Sequence, residues 1–243
     1  MHSGEHTKEK QRIFAGLVRW HLGMCTGIYR RYPALPYLYV DMNAADGTGS
    51  PSIFLDAAQH VTFPWRAIFI EMDAEAVQIL TATCEHPDAT CFHDDHTVLL
   101  PQICDRLRGL RYGLIYHDPY GIPSFDTLRD VSARDATERI DILIRCPATV
   151  IKRARGAFGI FVKHKYTLTQ HLDSIRKKHW LIQAPQGSLQ WTFLLGTNYE
   201  SMKEWRKEHL YRIDTYEGQS ILDRLAKTAN ERQNDGQLPL FDV

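Results

Sequence analysis

Four residues with strand character, Leu114, Ile115, Tyr116 and His117, run straight into Asp118-Pro119-Tyr120-Gly121. Asp-Pro-Tyr-Gly can be a type I turn with proline at its second position. It can also be a site at the end of a strand, and its parts then have definite uses. An exocyclic amine on a nucleobase is a poor nucleophile, because its lone pair is delocalised into the ring. Asp118 offers a carboxylate that accepts an amine hydrogen, and the chain at Pro119 offers carbonyls with no competing N–H. Tyr120 offers a ring on which a base can stack, a contact of roughly 1–3 kcal/mol. Gly121 is expected to meet the substrate. His117 lies one residue earlier on the strand, so its side chain points away from that of Asp118 and reads as a packed or rim histidine.

Other acids recur at matching places. "YLYVDM" ends on Asp41 and opens into Asn43-Ala44-Ala45-Asp46-Gly47-Thr48-Gly49; "RAIFIEM" ends on Glu71 and Met72; "ATCFHDD" ends on Asp94 and Asp95. An acid closing the second strand can accept from both hydroxyls of a ribose. Asp73 already serves as a helix cap, which leaves Glu71 free for that role. Asp94 or Asp95 can accept from an adenine amine, or cap the helix at "HTVLLP". Small residues after Asp41 allow close backbone approach to a ligand. No Gly-x-Gly-x-x-Gly and no P-loop lysine occurs, so the expected ligand carries a ribose without a polyphosphate. S-adenosylmethionine has that chemistry.

The elements that must position these residues alternate. Apolar runs end at Met42, Met72, Asp95, Asp118 and Pro147, and helical segments separate them. Alternation over so long a stretch predicts βαβ units and a parallel sheet buried on both faces. A helix is expected from Thr7, as N-cap, to Gly23. "WLIQAPQGSLQWTFLLGTNY" reads as a hairpin and "TYEGQSILDRLAKTANERQ" as a last helix. The expected fold is therefore α/β and Rossmann-like, a seven-stranded, mostly parallel sheet with a C-terminal antiparallel hairpin. Its expected division is an N-terminal helical segment over 1–36, the main domain over 37–230 and a flexible tail over 231–243.

The series "VDMNAADGTG", "FIEMD", "DDHTVLLP" and "DPYG" resembles class I S-adenosylmethionine-dependent methyltransferases, over roughly residues 8 to 225. More narrowly it resembles the three-Cys-motif partner type, with its acid-x-Phe-Ala-Gly-Pro-Gly loop, Phe-Ile-Glu-x-Asp strand end and Asp-Pro-aromatic-Gly motif. That last motif is also similar to those of tRNA guanine and DNA amino-methyltransferases. The resemblance implies S-adenosyl-L-methionine held by Asp41, Asn43, Ala45, Asp46, Gly47, Glu71, Met72, Asp94 and Asp95, with Asp118, Pro119 and Tyr120 catalytic. It implies methylation of an exocyclic amine in nucleic acid, with an adenine of DNA slightly ahead of RNA. Ala45 stands where the family carries Gly and Asp46 where it carries Pro. A non-catalytic nucleic-acid-binding module therefore stays open as an alternative, as does a methyltransferase of a peptide or small molecule.

Between Thr149 and Trp180 the cations Lys152, Arg153, Arg155, Lys163, Lys165, Arg176, Lys177 and Lys178 face a single acid, Asp173. Phe158, Phe161, His164 and Tyr166 are interleaved. This is the pattern of a phosphate-binding face with stacking side chains, or of a solvated helix face over core aromatics. Trp180, Trp191 and Trp205 read as core. The whole chain carries 29 cations and 29 acids, so its net charge selects no partner. The five cysteines are odd in number and form no C-x-x-C pair, which argues against a disulfide framework and against zinc and for a reducing cytoplasm. No metal is expected. The start carries no apolar signal-peptide core, and no apolar run reaches the roughly 18–20 residues of a membrane helix.

Overall fold

The computed structural model describes residues 3–31, 36–154, 168–186, 190–200 and 202–227. The expected tail over 231–243 lies outside them. The chain opens with α1 (Ser3–Tyr29), β1 (Tyr37–Asp41), α2 (Ser50–Ala58), β2 (Trp65–Glu71), α3 (Ala74–Thr83) and β3 (Ala89–His93). It continues through α4 (His96–Arg106), β4 (Gly113–His117), α5 (Phe125–Ser132), β5 (Ile140–Pro147), α6 (Ala148–Ala154) and α7 (Leu168–Asp173). It closes with β6 (His179–Gln183), β7 (Trp191–Thr197), α8 (Met202–Lys207), β8 (Leu210–Arg212) and α9 (Tyr216–Ala226). Among the described residues no helix is long and apolar enough to cross a membrane.

One eight-stranded sheet runs in the order β3-β2-β1-β4-β5-β7-β6-β8. The five strands from β3 to β5 are parallel; β7 is antiparallel to β5 and β6, and β8 is antiparallel to β6. The fold is a Rossmann-like α/β arrangement, with one strand more than the seven expected. The extra strand, β8, is three residues long and pairs only with the outer strand β6. A run so short shows no alternation, which is why sequence pattern misses it.

Strand period explains the layers. Tyr37, Tyr39, Phe69, Tyr116 and Phe193 face one side, packing with Phe14, Leu17 and Leu22 of α1 and Phe54 of α2. Leu38, Val40, Ile70, Ile115 and Ile142 face the other, packing with α4, α5 and α9 through Leu100, Leu128 and Leu222. Both sets are buried, as parallel strands demand. Helix α1 is longer than the Thr7–Gly23 expected, because its buried stripe runs on through Cys25 to Tyr29. It lies in the same core as the sheet. Trp180, Trp191 and Trp205 are buried, as expected of core.

Candidate active site

The strand order reverses between β1 and β4, so their carboxyl ends open a crevice at the switch point. Register decides what faces it. Asp41 pairs with Tyr116 and Tyr116 with Leu143, so Asp41, Asp118 and Arg145 project to the α1 side of the sheet. Helix α1 crosses that side and brings Lys10. The result is a cavity of about 250 Å³ walled by Lys10, Phe14, Asn43, Asp118, Tyr120 and Arg145. Lys10 Nζ donates to Asp118 Oδ2 at 2.7 Å, and Arg145 Nη1 stands 3.5 Å from Oδ1. The carboxylate is thus answered by two cations. Tyr120, by contrast, is 98% exposed at the mouth.

His117 has the opposite parity and points to the α4 side. It is fully buried, and burial, with His96 beside it, lowers its pKa to about 3. The neutral ring accepts from the backbone N–H of Ser124 at Nε2 (2.9 Å) and meets Asn43 Oδ1 through Nδ1 at 2.7 Å, so Nδ1 carries the proton. The imidazole ties both ends of the Asp118–Pro123 loop to the loop after β1. It is a packed histidine, as the sequence suggests.

Asp41 is wholly buried behind the cavity. Burial raises its carboxyl to about 7, against hydrogen bonds from Ser50, from the Asn43 N–H at 3.1 Å and from the Tyr39 hydroxyl at 3.3 Å. Glu71 accepts the N–H groups of Ala45, Met72 and Asp73 at 2.8, 2.8 and 2.9 Å. A carboxylate has about four lone-pair positions. Three are therefore taken by backbone, and about one is left for a ligand rather than the two hydroxyls expected. The bond to Ala45 holds that residue at φ 50, the left-handed region where the related loops carry glycine. Gly47, at φ 83, is required for packing: a Cβ there would stand 3.0 Å from Cys84 Sγ and 3.1 Å from Leu80 of α3.

Asp46 accepts from the N–H and hydroxyl of Thr48, an Asx turn that holds its carboxyl below the usual range. Asp95 caps α4 through one oxygen: its Oδ1 accepts from Thr97 N at 2.8 Å. Asp94 and Met72 are exposed on the same rim, Met72 at 69%. Asn43, Ala45, Asp118, Pro119 and Tyr120 line the cavity; Asp41, Asp46, Gly47, Glu71, Met72, Asp94, Asp95 and Gly121 are not part of its wall.

Sequence pattern does not reveal Lys10, Gln11, Phe14 or Arg145. Arg145 carries a trace, a lone charge near the end of the otherwise apolar "DILIRCP". Lys10 carries none, because its place depends on how α1 crosses the sheet. The basic segment does not form one face among the described residues. Lys152 sits half-buried on α6, beyond the carboxyl end of β5, with Arg153 on the same helix. Arg176 and Lys177 lie at the opposite rim, where Arg176 pairs with Asp135 at 2.9 Å and Lys177 donates to the carbonyls of Thr137 and Glu138. Arg155, Lys163 and Lys165 lie outside the described residues.

No protein-family profile matches the chain, and no curated protein matches it in sequence. Solved structures do. A Legionella pneumophila protein is 14% identical over 87% of this chain and 91% of its own, with a TM-score of 0.50. A methyltransferase from Geobacter sulfurreducens is 14% identical over 74% of this chain and 78% of its own, with a TM-score of 0.44. An rRNA methylase from Streptococcus thermophilus is 10% identical over 73% of this chain and 96% of its own, with a TM-score of 0.41. At these identities the likeness is one of fold.

Proposed function

We propose that this chain is an S-adenosylmethionine-dependent methyltransferase acting on an exocyclic amine of a nucleobase in nucleic acid, with an adenine of DNA slightly ahead of RNA. The observation that carries the reading is the meeting of Asp118 and a fully exposed Tyr120 at the mouth of a cavity in the β1/β4 crevice. The likeness of the Asp-Pro-Tyr-Gly motif to nucleobase amino-methyltransferases, and of the whole series to the three-Cys-motif partner type, supports it.

The residues present fit the cofactor. A cavity with both signs of charge suits a zwitterionic tail, and the exposed Met72 beside Glu71 offers an apolar wall for an adenine. Asp41, Asn43, Ala45, Asp46 and Gly47 would surround the tail; Glu71, Met72, Asp94 and Asp95 would hold the adenosine. The cofactor supplies an electrophilic methyl group. Asp118 accepts an amine hydrogen and favours a pyramidal nitrogen, and for this it must exchange the Lys10 ammonium for the substrate. Tyr120 stacks on the base, and a base from a duplex must be flipped out to reach it. Gly121 and the cations Lys152, Arg153, Arg155, Lys163 and Lys165 would meet the strand. The five cysteines are free thiols, which supports a cytoplasmic setting.

A second reading has one observation in its favour. Arg176 and Lys177 are occupied by their own chain, which weakens the phosphate-binding face and favours a peptide or small-molecule substrate. Incubation with labelled S-adenosylmethionine and DNA, tRNA or total protein, followed by nucleoside mass spectrometry, separates the two. Label on an amino nitrogen of a base, absent in Asp118→Ala, is the expected result. Label in protein alone would replace the first reading by the second, and no binding of S-adenosylhomocysteine would remove both.

A further inference from the structure

A larger cavity, about 520 Å³, lies at the other end of the sheet. It sits beneath the last turns of α1, at the amino ends of β4 and β5, and Ile28, Arg31, Tyr112, Arg139, Lys178 and Tyr199 line it. Arg31, Arg139, Lys178 and Tyr199 are exposed. Among the described residues no ion pair joins the three cations to a carboxylate. Arg139 donates to the Tyr112 hydroxyl, and its guanidinium stands 5.3 Å from that ring's centre.

Two acids share the wall, and one is already answered. Asp141 Oδ2 lies 3.0 Å from His21 Nε2, whose other nitrogen meets the Tyr37 hydroxyl at 2.8 Å. Burial opposes charge on His21, yet Cys25 and Asp141 outweigh it and raise the imidazole to about 10, so this pair is neutral overall. Glu138 remains, with Lys177 close enough for its Nζ to donate to the Glu138 carbonyl at 3.2 Å. The local balance is positive. Asn198 fixes the floor: its Nδ2 donates to the Glu138 carbonyl at 2.7 Å and its Oδ1 accepts from the Lys178 N–H at 2.7 Å. Beside the cations, Tyr199 is 49% exposed, and Ile28 and Met24 add an apolar wall.

We propose that this amino-rim cavity is a second binding site, for a nucleotide unit, with its phosphate on Arg31, Arg139 and Lys178 and its base against Tyr199 and Tyr112. Guanidinium forks match phosphate oxygens in pairs, and tyrosine faces accept any base. An anion without a ring would leave the aromatic and apolar wall unused. The volume admits one nucleotide. The unit can come from a free 5′-nucleotide or from a strand, since the two present the same chemistry. The site is independent of the methyl-transfer reading, because none of its residues touches the Asp118 cavity.

The test is calorimetric titration of the full chain with 5′-AMP, 5′-UMP, and a short oligonucleotide, with adenosine and orthophosphate as controls. Both mononucleotides should bind more tightly than either control. Arg139→Ala combined with Lys178→Ala should weaken them by about tenfold or more, the loss of charged hydrogen bonds. Tyr199→Ala and Lys178→Glu, each a single exposed change, should weaken them as well, with melting temperature unchanged. Saturating S-adenosylhomocysteine should not displace them. An oligonucleotide bound more tightly than the mononucleotides by tenfold identifies a strand as the source; equal affinity identifies a free nucleotide. Absence of mononucleotide binding, unchanged affinity in the variants, or displacement by S-adenosylhomocysteine would overturn the assignment.

Discussion

Asp118 and Tyr120 divide the work proposed for the site, and variants should separate them. An interaction formed mainly in the transition state lowers turnover when removed and leaves ground-state binding alone. Asp118→Ala should therefore abolish methyl transfer while S-adenosylhomocysteine affinity changes by less than about tenfold. Asp118→Asn should keep some activity, since an amide oxygen still accepts one hydrogen bond. Tyr120→Ala should weaken substrate capture by the stacking increment of roughly 1–3 kcal/mol, and Tyr120→Phe should be nearly silent. Single-turnover assays test the order, and wild-type rates in Asp118→Ala would leave Asp-Pro-Tyr-Gly a turn. Lys10 adds a prediction of opposite sign. Its pair with Asp118 is partly exposed, at 29% and 15% of the two side chains, so it holds by roughly 1 kcal/mol or less. In the proposed reaction it would compete with the substrate amine for Oδ2. Lys10→Met should then raise the single-turnover rate by roughly two- to fivefold. A fall to background would make Lys10 part of substrate or cofactor binding instead.

At the scale of elements, the junction between β1 and β2 depends on Glu71. Its carboxylate closes the first loop through Ala45 and caps its own strand end through Met72 and Asp73. Glu71→Gln keeps the size but replaces one acceptor oxygen by an N–H₂ group, which must face a backbone donor. The expected cost is about 1–3 kcal/mol, or a melting temperature lower by roughly 3–10 °C. The same change should weaken S-adenosylhomocysteine binding, because the loop that would surround its tail is no longer tied down. Unchanged melting would mean that these three backbone bonds contribute nothing, and unchanged affinity would take Glu71 and its loop out of the cofactor site.

Across the whole molecule, two buried groups next to the crevice give pH dependences of opposite sign. Asp41 has a folded pKa of about 7 against an ordinary 3.8. The folded state keeps a proton that the unfolded chain releases, so this group's contribution to stability falls as pH rises from about 4 to 7, by about 4 kcal/mol in all. His117 has a folded pKa of about 3 against 6.5. Here the unfolded chain takes up the proton first, so its contribution is full above about 6.5 and is lost as pH falls towards 3, by about 5 kcal/mol. In the wild type the two offset each other between pH 4 and 6.5. Asp41→Asn should therefore gain on the wild type between pH 5 and pH 8, and His117→Gln should gain on it in the reverse direction. Urea unfolding of the three proteins at both pH values reads this out, and parallel curves would show that neither group is shifted by folding.

Much of this was legible in the sequence for a physical reason. Buried parallel strands must be continuous apolar runs, so "YLYVDM", "RAIFIEM" and "LIYHD" announce both themselves and the acids that end them. Local capping was equally legible at Asp73, whose side chain accepts from Ala76 N. What tertiary structure alone decided was parity and crossing. The alternation that sends Asp41, Asp118 and Arg145 to one side and His117 to the other acquires meaning only from the register of β1, β4 and β5. The crossing of α1 brings Lys10 to within 2.7 Å of a residue 108 positions away. The split of Lys152 from Arg176 and Lys177 to opposite rims has the same origin, for β5 and β6 run in one direction, so the end of β5 and the start of β6 lie at opposite edges of the sheet. Local pattern records the period of each element, and the contacts between elements arise only when the hydrophobic faces close on one another.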